Sequence, residues 1–421
     1  MRQSQLFGKT RKDINREEQS VNAELLIRAG FIEKQLAGVY NFLPLGLKVF
    51  RKIENVIREE MNAIGAQEML MSSLQNKDLW QKSGRWEKLE PIMYQFKDHH
   101  GSTVGLAATH EETITNIVKK HVNSYRDLPV YLYQIQTKFR DEKRAKSGIL
   151  RGREFSMKDL YSFHTDQEDL DRYYMIVHDA YLKIFKRLGL EAFSVEASGG
   201  DMSTEHSHEF MVATDAGEDI TLLCPKCHWA QNLEIAAEIK KCPQCSTALA
   251  KVKTVEAGNI FRQGDQYSAP LDLTYVDKEG HKQNVILGSY GIGLGRLLGT
   301  IVEANHDQDG IIWTKASTPY HLHLLNLVRN VKTGEEVYRK LTKAGWEVLY
   351  DDRDISFGKK LKDADLIGIC FQLLVSDKQK ELELINRADH KKMLIGYDQV
   401  IKELEKFYSP SMKAIEPSAP R

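Results

Sequence analysis

The sequence predicts an α+β protein with two folded parts: a large domain on an antiparallel sheet, which carries a small cysteine-rich insert, and a C-terminal α/β domain. Three observations predict this architecture. Long amphipathic helices flank a strand pair with one polar face, two CxxC pairs fall within residues 221–249, and short strands alternate with helices after about residue 319. We therefore expect a first domain over residues 1–315, a second over 316–408 and a disordered tail over 409–421.

Composition excludes several classes of protein. The 421 residues include 59 Lys and Arg and 59 Asp and Glu, so the formal net charge is zero. Zero net charge argues against a protein that coats nucleic acid non-specifically, and no apolar run is long enough to span a membrane. The first residues do not resemble a secretory signal, and five cysteines suit a reducing compartment. These observations predict a cytoplasmic protein.

Apolar periodicity in the first part predicts three long helices. Apolar residues recur at three- and four-residue spacing over residues 46–64, 112–125 and 166–190. In the last of these the stripe includes Leu170 and Val177, and it predicts one helix face packed against the sheet.

A charged hairpin is the most informative stretch. Alternating polar and apolar residues predict a strand over residues 131–140, and a returning strand is expected over 151–163. Side chains two positions apart share a face of a strand, so the hairpin should gather two arginines, two carboxylates and one aromatic ring. These residues are Arg140, Glu142, Arg151, Phe155 and Asp159.

That set of side chains suits a nucleotide with an acid attached. Guanidinium groups grip phosphate or carboxylate, a phenyl ring stacks on a base, and a carboxylate accepts from an exocyclic amine. The alternative is a solvated hairpin, because charged runs usually face water. Residues 138–158 contain eight Lys and Arg against three acids, which concentrates positive charge at this hairpin.

The hairpin and several other segments resemble the class II aminoacyl-tRNA synthetases. Phe139-Arg140-x-Glu142, a loop, and Arg151 followed at four-residue spacing by Phe155 and Asp159 resemble motif 2 of that class. The sequence around these residues is similar to that of the prolyl-tRNA synthetase family in particular. The other matching segments are residues 61–75 for motif 1, 109–112 and 207–210 for the amino-acid pocket, and 288–296 for motif 3.

The resemblance implies an aminoacyl-tRNA ligase. It implies activation of L-proline with ATP to prolyl-adenylate, and transfer of the prolyl group to the 3′ end of tRNA(Pro). ATP with Mg²⁺ is the implied cofactor, and a homodimer through motif 1 is the implied assembly. The chain departs from the family at Ser72 and Ala108, where proline is usual.

The resemblance also assigns roles to single residues. Arg140 would bridge the proline carboxylate and the α-phosphate and Arg296 would hold the γ-phosphate side, so these two are the expected catalytic residues. The implied ATP-binding residues are Arg140, Glu142, Arg151, Phe155, Asp159 and Arg296. The implied proline-binding residues are Thr109, Glu111, Arg140, His208 and Ser289.

The cysteine pairs predict a metal site. Cys224, Cys227, Cys242 and Cys245 form two CxxC pairs separated by 14 residues. Four thiolates at this spacing are typical of a closed tetrahedral Zn²⁺ site. A reduced thiol cluster without metal is the first alternative, and a redox role is a weaker one.

Two further expectations follow from the resemblance. His208 and Ser289 are only 81 positions apart, so we expect no editing domain between motifs 2 and 3. The C-terminal domain resembles an anticodon-binding domain, with Arg353 as a candidate anticodon contact and a solvated turn as its alternative.

Two other functions stay open on the sequence. One is a catalytically inactive synthetase paralogue that binds tRNA or regulates, and the other is a zinc-ribbon nucleic-acid-binding module. The first is disfavoured because Glu111, Arg140 and Arg296 are all present. The second is disfavoured because the cysteine-rich stretch is not notably basic.

Overall fold

The computed structural model describes residues 1–12, 20–143, 145, 147–197, 207–236, 239–328, 331–376 and 382–408. Its helices are α1 (Val21–Arg28), α2 (Pro44–Ala63), α3 (Lys77–Lys82), α4 (Arg85–Lys88), α5 (Glu111–Val118), α6 (Gln167–Arg187), α7 (Leu233–Ala236), α8 (Ser268–Leu271), α9 (Leu294–Ala304), α10 (Val331–Lys343), α11 (Phe357–Ile367) and α12 (Tyr397–Tyr408).

The strands of the first part are β1 (Ile32–Leu36), β2 (Val39–Phe42), β3 (Gln67–Glu68), β4 (Leu74–Asn76), β5 (Gln95–Lys97), β6 (Thr103–Leu106), β7 (Val130–Phe139), β8 (Glu154–His164), β9 (Ala192–Ala197), β10 (Ser207–Ala213), β11 (Asp219–Leu223), β12 (Ala230–Asn232), β13 (Ala250–Gly264), β14 (Thr274–Val276), β15 (Lys282–Asn284) and β16 (Ile286–Gly293). Those of the second part are β17 (Leu322–Asn326), β18 (Val348–Asp351), β19 (Phe371–Val375), β20 (Leu382–Asn386) and β21 (Lys392–Ile395).

A nine-stranded sheet organises the first part, in the order β10-β9-β12-β11-β13-β16-β8-β7-β3. Its neighbours run antiparallel except at β12–β9 and β3–β7. Helices α6 and α9 pack against this sheet, and both contact α2. The three helices therefore cover one face, and the other face is left to carry a cavity.

Helix α6 confirms its predicted apolar stripe. Leu170, Val177 and Ile184 are fully buried, seven residues apart, because a heptad spacing returns side chains to one helix face. The helix begins where the Asp166 side chain accepts the backbone N–H of Asp169 at 2.9 Å, which satisfies one of the free donors of the first turn.

The second predicted helix is shorter than expected. It was expected to reach residue 125, but α5 ends at Val118. Ser124 and Asp127 form a capping box that starts a separate 3₁₀ turn. The Asn123 carbonyl accepts from Val276 at 3.0 Å, so this segment is fixed by a neighbouring strand and not by helix continuation.

The hairpin strands differ from their predicted bounds: β7 keeps the predicted length but lies one residue earlier, and β8 begins three residues later than expected. Strand β7 ends at Phe139 and β8 begins at Glu154, so Arg140 and Arg151 lie beyond the paired region. The backbone N–H groups of Asp141 and Arg153 donate to carbonyls outside the hairpin, at 2.8 Å and 2.7 Å. These bonds turn the chain away from the ladder.

The second part contains a five-stranded sheet in the order β18-β17-β19-β20-β21. Strands β18, β17 and β19 are parallel, as the predicted alternation of strand and helix requires. The last two strands are antiparallel additions at one edge. Residues 409–421, where a disordered tail is predicted, lie outside the described residues.

The two parts meet at a buried ion pair. Arg387, fully buried after β20, donates from both terminal nitrogens to the two oxygens of Asp307, each at 2.6 Å. Its Nε donates to the Asp365 carbonyl at 3.1 Å. Nearby, the Trp313 indole donates to the Ile367 carbonyl at 2.9 Å. One continuous apolar core runs through this junction.

The first residues of the chain contact the second sheet. Arg2 forms a parallel bridge to Tyr350, and its side chain pairs with Glu335 at 2.5 Å. Ser4 donates to Asp352 at 2.8 Å. The division at residue 315 stays a prediction. Within the described ranges, no helix has the length and apolar character needed to cross a membrane.

Candidate active site

A cavity of ≈ 340 Å³ opens on the side of the sheet away from α6, beside the segment that leads into α5. Of the ten residues predicted to bind ATP or proline, nine line this cavity. They are Thr109, Glu111, Arg140, Glu142, Arg151, Phe155, Asp159, Ser289 and Arg296.

Alternation along β8 builds the cavity floor. Phe155, Asp159 and Tyr161 line the cavity, whereas Lys158 points the other way and contacts the Tyr181 hydroxyl of α6. This is the shared face that the sequence predicts for Phe155 and Asp159. Burial lowers the pKa of Lys158 well below its ordinary value.

Asp159 is the centre of a buried hydrogen-bond network. Its Oδ1 accepts from Lys138 at 2.7 Å, and its Oδ2 accepts from Gln134 at 2.8 Å and from the Tyr161 hydroxyl at 2.9 Å. The Tyr161 oxygen accepts in turn from the backbone N–H of His110 at 3.2 Å. Asp159 therefore fixes the segment that precedes α5.

His110, between the cavity residues Thr109 and Glu111, does not line the cavity. It is fully buried, and its Nε2 contacts the Ser72 carbonyl at 3.1 Å. Burial, followed by the nearby Lys138, lowers the pKa of His110 to about 4.

Arg140 presents a cation without an anionic partner. Within the described residues no carboxylate lies within 4.0 Å of its guanidinium, and its Nε donates to the Ala108 carbonyl at 3.1 Å. Its Cζ lies 5.3 Å from the Phe155 ring centroid. Burial, and then repulsion from Arg296, lowers the pKa of Arg140. An anionic ligand beside Arg140 would raise this pKa again and so offset the effects of burial and of Arg296.

Two of the other three arginines that line the cavity, Arg151 and Arg296, are held by carboxylates of the expected phosphate side. Arg296 donates to Glu256 at 2.9 Å and to the Leu150 carbonyl at 2.9 Å. Arg151 donates to Glu142 at 3.1 Å and to Glu218 at 3.0 Å. Both side chains are thus fixed at the cavity wall before any ligand enters.

Opposite the arginines lies a compact acidic group at the start of α5. Thr109 Oγ1 donates to Glu111 Oε2 at 2.6 Å. Arg85 Nη1 contacts the same oxygen at 3.3 Å and Glu112 at 3.1 Å. Burial raises the pKa of Glu112, and Arg85 opposes that shift. Thr109 and Glu111 meet at a loop–helix junction, because α5 begins at Glu111.

The structure separates Ser289 from His208. Ser289 lines the cavity and accepts from Gln263 at 2.7 Å. His208 pairs across the sheet with Ile260, which is fully buried toward the helices. Its ring contacts the Tyr174 hydroxyl at 2.8 Å. His208 therefore lies on the helix side of the sheet, outside the cavity.

A second cavity of ≈ 250 Å³ shares Arg151 and Arg296 with the first. Its wall is strongly acidic, and burial, followed by Glu256 and Asp219, raises the pKa of Glu209 to about 7. The five carboxylates on its wall are Glu209, Glu218, Asp219, Glu234 and Glu256.

Sequence reasoning missed Arg85 and Glu256 at the cavity, and Gln263, which donates to the cavity residue Ser289. Arg85 and Glu256 lie outside every matched motif, and their partners are 26 and 40 residues away. Gln263 lies near the end of β13, whose sequence pattern gives no sign of a site. Only the fold brings these residues to the cavity wall or to a residue that lines it.

The four cysteines gather as predicted. Their Sγ atoms all lie within 4.8 Å of one another, with Cys224–Cys245 and Cys227–Cys242 both at 3.4 Å. Tetrahedral Zn–S bonds of about 2.3 Å require sulfur atoms about 3.8 Å apart. The geometry of the cluster therefore fits a zinc ion.

Arg353 is held by two ion pairs at the end of β18. It donates to Asp351 at 2.7 Å and lies 2.9 Å from Asp363. This places it on the second sheet with its guanidinium already engaged.

Comparisons with known proteins match both parts of the chain. Residues 94–305 match the tRNA synthetase class II core domain (G, H, P, S and T), and residues 324–407 match the anticodon binding domain. A proline–tRNA ligase of Sulfurimonas denitrificans is 40% identical over 410 residues, which cover 91% of this chain and 93% of that protein.

Two further proline–tRNA ligases extend the match. That of Zymomonas mobilis is 38% identical over 438 residues, covering 96% of this chain and 98% of its own. That of Halothermothrix orenii is 33% identical over 562 positions, covering 96% and 99%. The last alignment is longer than this chain, so that relative carries residues which this chain lacks.

Solved structures show the same fold. Cryptosporidium parvum prolyl-tRNA synthetase, complexed with halofuginone and AMPPNP, has a TM-score of 0.76 at 17% identity, covering 92% of this chain and 77% of its own. Giardia lamblia prolyl-tRNA synthetase, in complex with prolyl-adenylate, has a TM-score of 0.75 at 18% identity, covering 92% and 79%.

Proposed function

The chain belongs to the prolyl-tRNA synthetase family, and from this premise we propose that it activates L-proline with ATP and transfers the prolyl group to the 3′ end of tRNA(Pro). The observation that carries the proposal is the guanidinium of Arg140, which pairs with no carboxylate among the described residues and faces the same cavity as the carboxylate of Glu111. An amino acid needs both, because it carries one carboxylate and one ammonium group.

Activation joins two anions, and Arg140 would make that possible. The proline carboxylate attacks the α-phosphorus, a C–O–P bond forms, and the bond to the β-phosphate oxygen breaks as diphosphate leaves. Arg140 would contact the carboxylate and the α-phosphate together and stabilise the added charge on phosphorus. Holding both reactants in line can lower the barrier by roughly 7–11 kcal/mol.

The other arginines would position the nucleotide. We propose that Phe155 stacks on adenine, with Glu142 and Arg151 contacting the nucleotide and Arg296 holding the γ-phosphate side. Arg151 and Arg296 are held by hydrogen bonds to Glu142 and Glu256 at the cavity wall, which supports prearranged binding. Asp159 was expected to bind ATP, and its network supports a role through the cavity floor instead.

Proline would bind between Arg140 and the start of α5. Thr109 and Glu111 would receive the secondary ammonium group, and Ser289 would border the ring. The place of His208 behind the sheet supports an indirect role in shaping the pocket, not contact with proline.

The polyphosphate calls for a hard cation, and Mg²⁺ would supply charge neutralisation when bound. Glu142 and Glu256 fit this ion, because both offer carboxylate oxygens beside arginines of the phosphate side. The four cysteines would hold a structural Zn²⁺ ion, as the spacing of their sulfur atoms supports.

The remaining partners concern assembly and tRNA. Leu70 and Leu74, in the segment that resembles motif 1, are 72% and 58% exposed, which supports a homodimer interface there. The second sheet would bind the anticodon. Since Arg353 is held by Asp351 and Asp363, it would need to exchange a partner to contact a base. The cytoplasmic location stays a prediction.

The short segment between motifs 2 and 3 supports activation without editing in the same chain. Alanine lacks methylenes that proline has, and each is worth only about 1–3 kcal/mol of discrimination. We therefore expect alanyl-tRNA(Pro) to form at a measurable rate. Rapid deacylation of alanyl-tRNA(Pro) by the purified protein would contradict this expectation.

Proline-dependent exchange of diphosphate into ATP tests the main proposal. The wild-type chain with Mg²⁺ should catalyse exchange with proline, and Arg140→Ala should abolish it while leaving the unfolding temperature nearly unchanged. Arg126→Met, which alters an exposed arginine, is the matched control. Wild-type protein that exchanges no label would instead support the inactive paralogue.

A further inference from the structure

We propose that Arg85 is a positioning residue for amino-acid recognition, which holds Glu111 so that one of its oxygens faces the secondary ammonium group of proline. The inference rests on the proposed function and adds a residue that lies outside every motif matched in the sequence. It follows from three features of the described structure: the oxygen that Arg85 contacts, the charge it balances, and the rings that hold it.

The side-chain hydrogen bonds described for the Glu111 carboxylate all go to one oxygen, Oε2. Thr109 Oγ1 donates to Oε2 at 2.6 Å, and Arg85 Nη1 contacts Oε2 at 3.3 Å. In the described part of the chain, no side chain donates to Oε1. Glu111 lines the cavity. Its Oε1 is therefore the acceptor left for an N–H group of a ligand.

Arg85 also separates two adjacent carboxylates. Glu112 is fully buried, and its Oε1 accepts from Arg85 at 3.1 Å and from Ser83 at 2.8 Å. Without a cation between them, Glu111 and Glu112 would repel each other in a site of low dielectric. With both ionised, the three groups carry one net negative charge, which one ammonium group of a ligand neutralises.

Aromatic rings fix the guanidinium in this place. Arg85 Cζ lies 5.4 Å from the Trp80 ring centroid and 5.2 Å from the Tyr267 ring centroid, and the side chain is only 10% exposed. Contact with two rings restricts the planar group in a way that the flexible Lys ammonium does not reproduce. The site therefore depends on arginine in particular.

The test compares Michaelis constants in the exchange assay. Arg85→Met should raise the KM for proline by about 20-fold or more, because Glu111 loses a charged hydrogen-bond partner. The KM for ATP should stay within about twofold, because Arg85 belongs to the amino-acid side of the cavity. The KM for proline of Arg85→Lys should lie between those of Arg85→Met and wild type, since lysine keeps the charge without the planar contacts.

A second substitution distinguishes positioning from loss of folding. Adding Glu112→Gln to Arg85→Met removes the repulsion that the lost cation leaves behind. The double variant should recover at least about threefold in the KM for proline relative to Arg85→Met. Arg126→Met, an exposed arginine on a turn, should change neither constant. A variant that only disturbed folding would lower the apparent kcat at unchanged KM values, or lower the unfolding temperature, without such recovery.

The outcomes separate this inference from the proposed function. If wild-type protein shows no exchange with proline, the proposed function fails first. If wild-type protein exchanges but Arg85→Met and Arg85→Lys keep the wild-type KM for proline, Arg85 does not position Glu111. Equal increases in the KM values for proline and ATP, with no recovery in the double variant, would overturn the inference as well.

Discussion

The buried pair between Arg387 and Asp307 should stabilise the junction of the two parts asymmetrically. Arg387 is fully buried, whereas the Asp307 side chain is 28% exposed. Removing the carboxylate strands a guanidinium away from water, while removing the guanidinium leaves a carboxylate that water can reach. We therefore expect Asp307→Asn to cost more stability than Arg387→Met.

The contacts set the size of each effect. Asp307→Asn removes the charged acceptor of two 2.6 Å hydrogen bonds, leaving Arg387 with the Asp365 carbonyl at 3.1 Å. Stranding a buried charge costs about 3–5 kcal/mol, and we expect about 3 here because the Asp365 carboxylate remains 4.0 Å away. In Arg387→Met, backbone N–H groups still donate to Asp307, and a cost of about 1 kcal/mol is expected.

Equilibrium unfolding in guanidinium chloride, followed by the fluorescence of Trp313 and the other tryptophans, measures these costs. Lys392→Met breaks the exposed pair with Glu383 and should change the free energy of unfolding by less than about 0.5 kcal/mol. Arg387→Met costing as much as Asp307→Asn, or more, would refute the reasoning.

The stability that the Arg387–Asp307 pair contributes should decrease as the pH falls. Hydrogen bonding from Arg387 lowers the pKa of Asp307 below its ordinary value. A carboxyl with a lowered folded-state pKa stabilises the protein above its unfolded pKa, and that contribution is lost as the pH falls. The difference in the free energy of unfolding between wild type and Asp307→Asn should therefore decrease below about pH 4. A constant gap from pH 7 to pH 3 would contradict the assignment.

Three further outcomes are expected. Phe155→Ala should raise the KM for ATP about tenfold in the exchange assay, since loss of base stacking costs about 1–3 kcal/mol, and an unchanged KM would exclude stacking. Cys242→Ser should lower zinc content, measured by atomic absorption, from about one ion per chain toward zero. An equal content in both proteins would remove this cysteine from the site. Because the pKa of Glu209 is raised to about 7, its ionisation destabilises the folded state as pH rises toward 8. In the absence of Mg²⁺ and ATP, Glu209→Gln should therefore have a free energy of unfolding about 1–3 kcal/mol higher than that of wild type at pH 8. Near pH 4 the two free energies should be equal. A difference independent of pH would show that ionisation is not its cause.

Local pattern predicted the scaffold of the site well. The heptad stripe of α6 follows from spacing and holds because one face of the helix packs on the core. The shared face of Phe155 and Asp159 on β8 also follows from spacing, since alternate side chains of this strand face the cavity and α6. The ends of these elements were less predictable. Arg140 and Arg151 leave the ladder because backbone groups of their neighbours bond to distant carbonyls, and no local pattern encodes such partners.

Site residues could likewise be predicted where they share one strand, and not where their position depends on distant contacts. Phe155 and Asp159 could be placed together because they share a strand. The side of the sheet on which His208 lies could not be predicted, because it depends on pairing with Ile260, 52 residues away in the chain. Arg85 was missed because its role exists only once α4 folds beside α5. The acidic second cavity escaped for the same reason, since its carboxylates come from several strands.

The contact of the first residues with the second sheet bears on the order in which the molecule is completed. Arg2 is bonded to groups 333 and 350 positions further along the chain. A ribosome that adds about 5–20 residues per second exposes Arg2 tens of seconds before Asp352 exists. During synthesis the first residues therefore dock on the second sheet only after that sheet has been made, so this contact joins the earliest and the latest parts of the described chain.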